Sequence, residues 1–482
     1  MGSFTTLDLT VLAVYLLGVT LWGAWLGRNQ RGGSDYFLGG RDLPWGAVLL
    51  SVVATETSTL TFLSIPGVAY LGNLGFLQLT LGYLVGRVVI AVVLLPAYYR
   101  GDLNTAYALL ETRFGTGARR FASAVFMVTR LLADSVRLFA TAIPLALITG
   151  WPYPLSITVI GVLTLVYTYF GGIRAVVWVD TLQMGLYLFG AACTLVVLHL
   201  LVPGGWGAIV ESASAVDKLA WLDLSLDPSR PYTIWAGVIG GAFLAMASHG
   251  TDHLIVQRLL TCRDLRASQK ALVGSGILVL VQFAVFLLVG IGLWVFYEGR
   301  EFQITDEIFA MFMIQELPAG LSGLLIAGVF AAAMSSLSSS INSLASASAY
   351  DFWAPMSNCA YDEIHLLRAG RVFTLMWAFL LVLVAVAYIP MSDDSTAVEA
   401  ALTIASLVYG GLLGAFFLGV VDPKAIEKGV IFGMIIGIGT VTAIWSEAAA
   451  VVGWPWYVPI GTVITVVVGG LSSRALASAP RP

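Results

Sequence analysis

Residues Leu324–Tyr350 read LLIAGVFAAAMSSLSSSINSLASASAY, an apolar helical stretch interrupted by hydroxyls at Ser335, Ser336, Ser338 and Ser339. At about 100° per residue, Ala332, Ser335, Ser336 and Ser339 share one arc. Ser335, Ser338, Ser339 and Asn342 share a second arc that overlaps the first. Small residues let two membrane helices approach closely, and a single serine would carry no more than that. A hard cation wants several neutral or anionic oxygens at short range, which serine hydroxyls and carbonyls left free along a small-residue helix supply. Four serines in five positions, followed by Asn342 and Ser343, favour an ion site.

The surrounding chain is membrane-like throughout. Of 482 residues, 59% are hydrophobic and 11% charged, with a mean hydropathy of +0.90, which excludes a soluble globular class. A bilayer core needs about 20 apolar residues per spanning helix. Thirteen such spans are expected, at 7–26, 44–71, 76–99, 121–148, 155–170, 176–201, 233–259, 271–297, 317–350, 371–389, 397–421, 429–448 and 455–471. Together they make one transmembrane domain over 1–482, embedded in the lipid bilayer, with no nucleic-acid partner expected. The polar segment 204–232 is expected to hold a short surface helix. Asp8, and the lack of a basic residue before the first apolar run, predict that the leading helix is retained rather than cleaved. Cys193, Cys262 and Cys359 are an odd set without metal spacing, so neither a disulfide framework nor a metal centre is expected.

Basic residues set the expected orientation. Eighteen Lys or Arg fall in the links after the leading helix and after every second span that follows, or at the span ends that border those links, against Lys218, Arg230 and Arg300 in the alternate links. The positive-inside rule then puts the N-terminus outside and the C-terminus in the cytoplasm. The absence of an Asn-x-Ser/Thr sequon and the excess of Arg over Lys suit a bacterial inner membrane.

The remaining basic residues, Arg87, Arg130 and Arg137, lie at membrane depth, where an ionisable group is costly and a functional hypothesis by default. Arg130, Asp134 and Arg137 are spaced i, i+4, i+7, so they share one helix face and Asp134 can neutralise either arginine. They read either as an internal ion-pair stack or as a stack in which Arg137 meets a substrate carboxylate. In the span 44–71, Ala54-Thr-Glu-Thr-Ser-Thr-Leu-Thr61 and Ser64-Ile-Pro-Gly67 are polar without helical periodicity. This predicts unwinding near mid-membrane, where free carbonyls and half-helix ends can hold ions and substrate. Glu56 suits a cationic group, a protonated acid or an arginine partner. A second polar interruption at Ser248–Asp252 lies five spans later with opposite orientation, the pattern of inverted repeats with a site at their interface. Asp180 follows the Gly171-Gly172 turn. It reads as an ordinary interfacial acid or as a carboxylate approaching the serine strip.

These residues resemble the sodium:solute symporters, which include bacterial transporters of sialic acid, galactose and proline. The resemblance is carried by Asp35-Tyr-Phe-Leu-Gly-Gly-Arg41, the 54–67 stretch, Gly82-Tyr-Leu-Val-Gly-Arg87, Gly171-Gly-Ile-Arg174 with Asp180, Gly250-Thr-Asp-His253 with Gln257-Arg258, Ala332–Asn342 and Tyr409–Ala415. It implies an all-α LeuT-type fold of five plus five inverted helices (about 44–201 and 233–421), one leading helix (7–26) and two trailing helices (429–471). It implies a first sodium site from the carbonyls of Ala54, Thr57 and Ala332 and the hydroxyls of Ser335 and Ser336. A second site is implied at Asp180, Ser335, Ser338 and Ser339, hence two sodium ions per cycle. Substrate contacts are implied at Glu56, Ser58, Thr61, Gln78, Arg137, Ser248 and Gln282. Glu56 departs from the sialic acid and galactose transporters, which leaves the solute open among sugars, sialic acids, amino acids and carboxylates.

The expected function is therefore sodium-coupled import of a small organic solute by alternating access, not enzymatic catalysis. Rival readings are a sodium-linked sensor or leak channel on the same scaffold, and an intramembrane enzyme using a serine of the cluster with His249 or His253 as base.

Overall fold

The computed structural model describes residues 4–27, 32–57, 59–100, 103–302, 305, 307–357, 362–391 and 397–478. Among the described residues the regular secondary structure is helical, apart from one bridge pairing Leu43 with Cys262. The first half contains α1 (Thr6–Leu26), α2 (Gly33–Leu38), α3 (Trp45–Glu56), α4 (Thr59–Leu71), α5 (Leu77–Val93), α6 (Leu95–Tyr99), α7 (Ala108–Phe114), α8 (Thr116–Thr149), α9 (Tyr153–Leu201) and α10 (Gly205–Ser214). The second half contains α11 (Gly241–Gly250), α12 (His253–Leu259), α13 (Leu265–Phe296), α14 (Glu307–Gln315), α15 (Leu321–Ala347), α16 (Ala354–Ser357), α17 (Glu363–Tyr388), α18 (Ala397–Val421), α19 (Glu427–Ala448) and α20 (Tyr457–Ser478).

Among the described residues nine helices are long and apolar enough to cross a bilayer, or ten if α3 and α4 form one bent span. Thirteen spans were expected, and the difference has local causes. The expected spans 155–170 and 176–201 run together as α9, whose 49 residues turn at Gly172 with φ 55° and ψ −161°, a conformation only glycine adopts readily. The span 121–148 lies in α8, whose apolar character is diluted by Arg130, Asp134 and Arg137. The span 233–259 is split between a π turn at Ala236–Gly240, α11 and α12. The segment 204–232 does hold a short helix, α10, and beyond it Lys218 donates to the carbonyls of Tyr70 (2.7 Å) and Gly72 (3.1 Å). Burial beside the Trp294 ring lowers the pKa of that ammonium from its ordinary value.

Helix α15 runs through the middle of the molecule, against α1, α3, α8, α9 and α17. Every residue from Leu325 to Ala347 is buried, so its serines face protein rather than lipid. Its N-terminus is closed by a residue from the far end of the sequence. The Asp8 carboxylate of α1 accepts from the backbone amides of Gly320 (2.7 Å) and Gly323 (2.8 Å), an anion at the positive end of the helix. Elsewhere the helices meet through glycine. A Cβ on Gly86 of α5 would lie 2.3 Å from the Ala242 carbonyl oxygen of α11, a distance no side chain tolerates.

Cys193 and Cys262 are free thiols; Cys359 lies outside the described residues.

Candidate functional site

The unwinding expected in the span 44–71 falls at Thr57. Its amide still bonds the Val53 carbonyl at 2.8 Å, but its own backbone leaves the helix with φ −80° and ψ 82°. The two halves of the span differ in direction by 58°. Threonine at 55, 57, 59 and 61 favours such a break, because β-branched hydroxyl residues lose rotamers in a helix and compete for its backbone bonds. A helix end leaves its last four carbonyls without intrahelical partners, and here Ala54 and Thr57 belong to that end. Helix α15 supplies the opposite wall, with the Ser336 hydroxyl 3.3 Å from the Thr55 carbonyl oxygen and Ala332 buried one turn earlier. The Ser335 hydroxyl donates to Asp180 Oδ1 at 2.6 Å, which leaves its lone pairs free for another partner.

The second serine arc meets Asp180, which is fully buried on α9. Beyond Ser335, Asp180 accepts from the Ser51 hydroxyl at 2.5 Å. The Ser338 and Ser339 hydroxyls donate to the Ser335 carbonyl at 3.0 and 2.6 Å, and Thr55 Oγ1 lies 3.2 Å from Ser339 Oγ. A further group enters here from α12. The guanidinium of Arg258 bonds Asp180 at 3.2 Å and also Ser339. Asp180 is therefore an acid of the interior and not of the interface.

Beside the break opens the main cavity, about 870 Å³ of non-atom space with open solvent included. Thr55, Glu56, Thr61, Phe76, Tyr83, Arg130, Arg137, Ser248, His249, Phe283 and Tyr409 line it, with aliphatic residues of α11, α12 and α18. Of the three readings of Glu56, the structure supports the arginine partner: its carboxylate pairs with the buried Arg87, which also donates to Ser275 at 2.8 Å. His249 Nε2 lies 3.4 Å from the same carboxylate.

The arginines of α8 divide. Arg130 turns mainly to Asp252, donating through Nε at 2.9 Å, with a further bond to Tyr409 at 2.5 Å; Asp134 lies farther, at 3.5 Å. Arg137 is held to Asp134 at 2.8 Å, and Asp134 also accepts from Ser340. Arg137 keeps a buried Nε without a partner among the described residues. It also borders a smaller gap shared with Thr59, Asp134 and Ser336, so it stands between the main cavity and the first serine arc.

Of the implied substrate residues, Glu56, Thr61, Arg137 and Ser248 come together around this cavity. Gln78 does not. It is wholly buried near the 220–232 loop, donating to the Gly75 (3.2 Å) and Tyr232 (2.9 Å) carbonyls and accepting from the Asp223 amide at 3.1 Å, a role in holding that loop. Gln282 lies behind the break, bonded to Thr57 Oγ1 at 3.0 Å. Ser58 lies outside the described residues. Sequence reasoning missed Arg258, Ser51, Ser340, Asp252 and Tyr409 as members of these networks. Asp252 stood within the second polar interruption and Arg258 six residues beyond it, and both could have been suspected as buried charges. Ser51 carried no signal of its own, and Tyr409 only its place at the head of the Tyr409–Ala415 stretch.

Known proteins similar to this chain accord with this architecture. The profile of the sodium:solute symporter family matches residues 36–437, and the chain belongs to that family. It is 30% identical to the sodium/sialic acid symporter NanT of Aliivibrio fischeri over 98% of this chain and 94% of that protein. It is 29% identical to the human sodium/iodide cotransporter, over 93% and 70% of the two chains. A solved Na+-coupled sialic acid symporter, substrate-bound and outward-open, superposes with a TM-score of 0.88 at 26% identity over 99% of both chains. Mhp1, a nucleobase-cation-symport-1 family transporter, shares the fold at a TM-score of 0.56, with 12% identity over 92% and 94% of the two chains. The protein is thus a sodium-coupled membrane transporter and not an enzyme.

Proposed function

We propose that this transporter imports a small organic solute bearing a carboxylate, together with two sodium ions, by alternating access. The observation that carries the carboxylate is Arg137, whose guanidinium lines the main cavity while one buried N–H has no partner among the described residues. A planar guanidinium suits a carboxylate better than any other side chain. Several relatives carry names that refer to anions or acids, including sialic acid, iodide and monocarboxylates.

The first sodium would be held by the Ala54, Thr57 and Ala332 carbonyls with Ser335 and Ser336, and the second by Asp180 with Ser335, Ser338 and Ser339. Sodium at the first site bridges the break after α3 to α15, which favours the ordered break and so the cavity wall that Glu56 and Thr61 form. Solute affinity rises with sodium for that reason. Each net charge moving down 100 mV contributes about 2.3 kcal/mol, and two sodium ions entering with a monoanionic solute carry one net positive charge. We read the scaffold as inverted repeats at about 44–201 and 233–421 between a leading and two trailing helices, N-terminus outside, in a bacterial inner membrane. The broken spans at Thr57 and at Thr251-Asp252 support the repeat, as each interrupts a first helix of its half.

The test is sodium-dependent thermal stabilisation of the purified protein against sugars, sialic acids, amino acids and simple carboxylates, in wild type and Ser336→Ala. A carboxylate that stabilises only with sodium present, in wild type alone, supports the reading. Stabilisation by neutral sugars and not by acids would overturn the carboxylate assignment.

A further inference from the structure

We propose that Arg258 is a tethered cation that occupies the Asp180–Ser339 site when sodium is absent, so that the second sodium enters only by displacing the guanidinium. The proposal rests on the second-sodium reading above and adds to it the group with which sodium competes.

The argument begins with what the guanidinium touches. Arg258 is fully buried, and its donors go to Ser51 Oγ (3.0 Å), the Leu254 carbonyl (2.8 Å), Asp180 Oδ2 (3.2 Å) and Ser339 Oγ. Two of these acceptors, Asp180 and Ser339, are half of the implied ligand set for the ion. A guanidinium and a sodium ion make the same electrostatic demand on them, a single positive charge against one carboxylate and neighbouring hydroxyl lone pairs. Asp180 is the carboxylate within reach of both. Two unit cations sharing one buried carboxylate repel strongly where water is excluded, whereas exchange of one for the other leaves the charge of the buried cluster unchanged. Exchange is therefore the favoured course.

The placement of Arg258 makes such an exchange mechanically simple. It lies on α12, a seven-residue helix with the Thr251-Asp252 break at one end and the turn at Leu260–Cys262 at the other. The exchange needs only the long Arg258 side chain to swing, since α12 itself is pinned through Gln257 to the Phe37 carbonyl and Asn342 and through His253 to Ser346. The bond to the Leu254 carbonyl is internal to α12, so loosening it disturbs no other element. In the opposite direction, return of the guanidinium to Asp180 would expel the ion. Because the site is filled by its own side chain for most of the time, sodium's apparent affinity falls in proportion to the fraction of molecules in which the site is open. Easy release of the second ion follows.

The test is equilibrium binding of radiolabelled sodium to the full chain in lipid nanodiscs, compared among wild type, Arg258→Gln, Arg258→Lys, Asp180→Asn and the Asp180→Asn/Arg258→Gln pair. Arg258→Gln is expected to bind the second sodium about tenfold more tightly, since every molecule then has an open site. Arg258→Lys should fall between it and wild type, because an ammonium lacks the fork that spans Asp180 and Ser339. The double variant should lose the second sodium. Unchanged or weaker binding in Arg258→Gln, with Asp180→Asn losing one of two sodium ions, overturns the tether and leaves the second site standing. If Asp180→Asn keeps both ions, the second-site reading fails and the tether with it. Should Arg258→Gln not fold, Arg258→Lys decides, and wild-type affinity in that variant overturns the proposal.

Discussion

The two broken spans of this transporter differ in how they treat their exposed backbone. At Thr57 the break is made by uncharged hydroxyl residues, and the carbonyls at the end of α3 face the serines of α15. At Thr251-Asp252 the break is capped by its own acid. Asp252 Oδ1 accepts from the Leu254 amide at 2.9 Å, while Oδ2 is shared by Arg130 and Tyr409. The first break turns backbone acceptors toward serine hydroxyls; the second satisfies its amide end and joins its acid to a fixed cation. Similar interruptions in sequence thus end differently, and the difference lies in whether the break's backbone is met by neutral hydroxyls or by its own carboxylate.

The sharpest way to break this comparison is to remove the fixed anion. Asp252→Ala leaves Arg130 buried without its main partner and strips the cap from α12, so a loss of about 3–5 kcal/mol is expected, read as a lowered Tm at saturating sodium. A small change would mean that the second break is not an anchor. Next in size, Ser336→Ala should raise the sodium concentration for half-maximal uptake by about tenfold, the worth of one good ligand contact, with little effect on Tm without sodium. Arg137→Gln should weaken an acidic solute by about tenfold or more, as for a lost charged hydrogen bond. Arg137→Lys should recover only part, and competition by neutral solutes should be unaffected. The smallest effect is expected at Gln78→Ala, a loss of about 1 kcal/mol in stability with solute affinity within about twofold of wild type. A larger shift in affinity would return Gln78 to the solute site.

Much of the candidate site could be read along the chain because its signals are local. Four hydroxyls in an apolar helix, a span with no apolar period and arginines at membrane depth each violate what lipid demands, and each marks a place where protein must replace water. The i, i+4, i+7 spacing also foretold that Asp134 would lie within reach of both Arg130 and Arg137, as it does. Pairings between distant segments were not legible in this way. The partners of Glu56 and Arg130 lie 31 and 122 positions away, and the sequence offers several buried charges of suitable sign for each.

What the sequence alone determined is the class of molecule and the location of its polar interruptions, because the cost of putting unpaired polar groups into hydrocarbon is paid residue by residue and leaves a mark at each one. The tertiary structure decided which charge neutralises which: Arg87 took Glu56, Asp252 took Arg130, and Arg258 came to Asp180. It also removed Gln78 from the cavity and brought Asp8 to the end of the serine helix. Those outcomes depend on helix packing across hundreds of residues, and electrostatic pairing in a dry interior is settled by distances that only the assembled bundle defines.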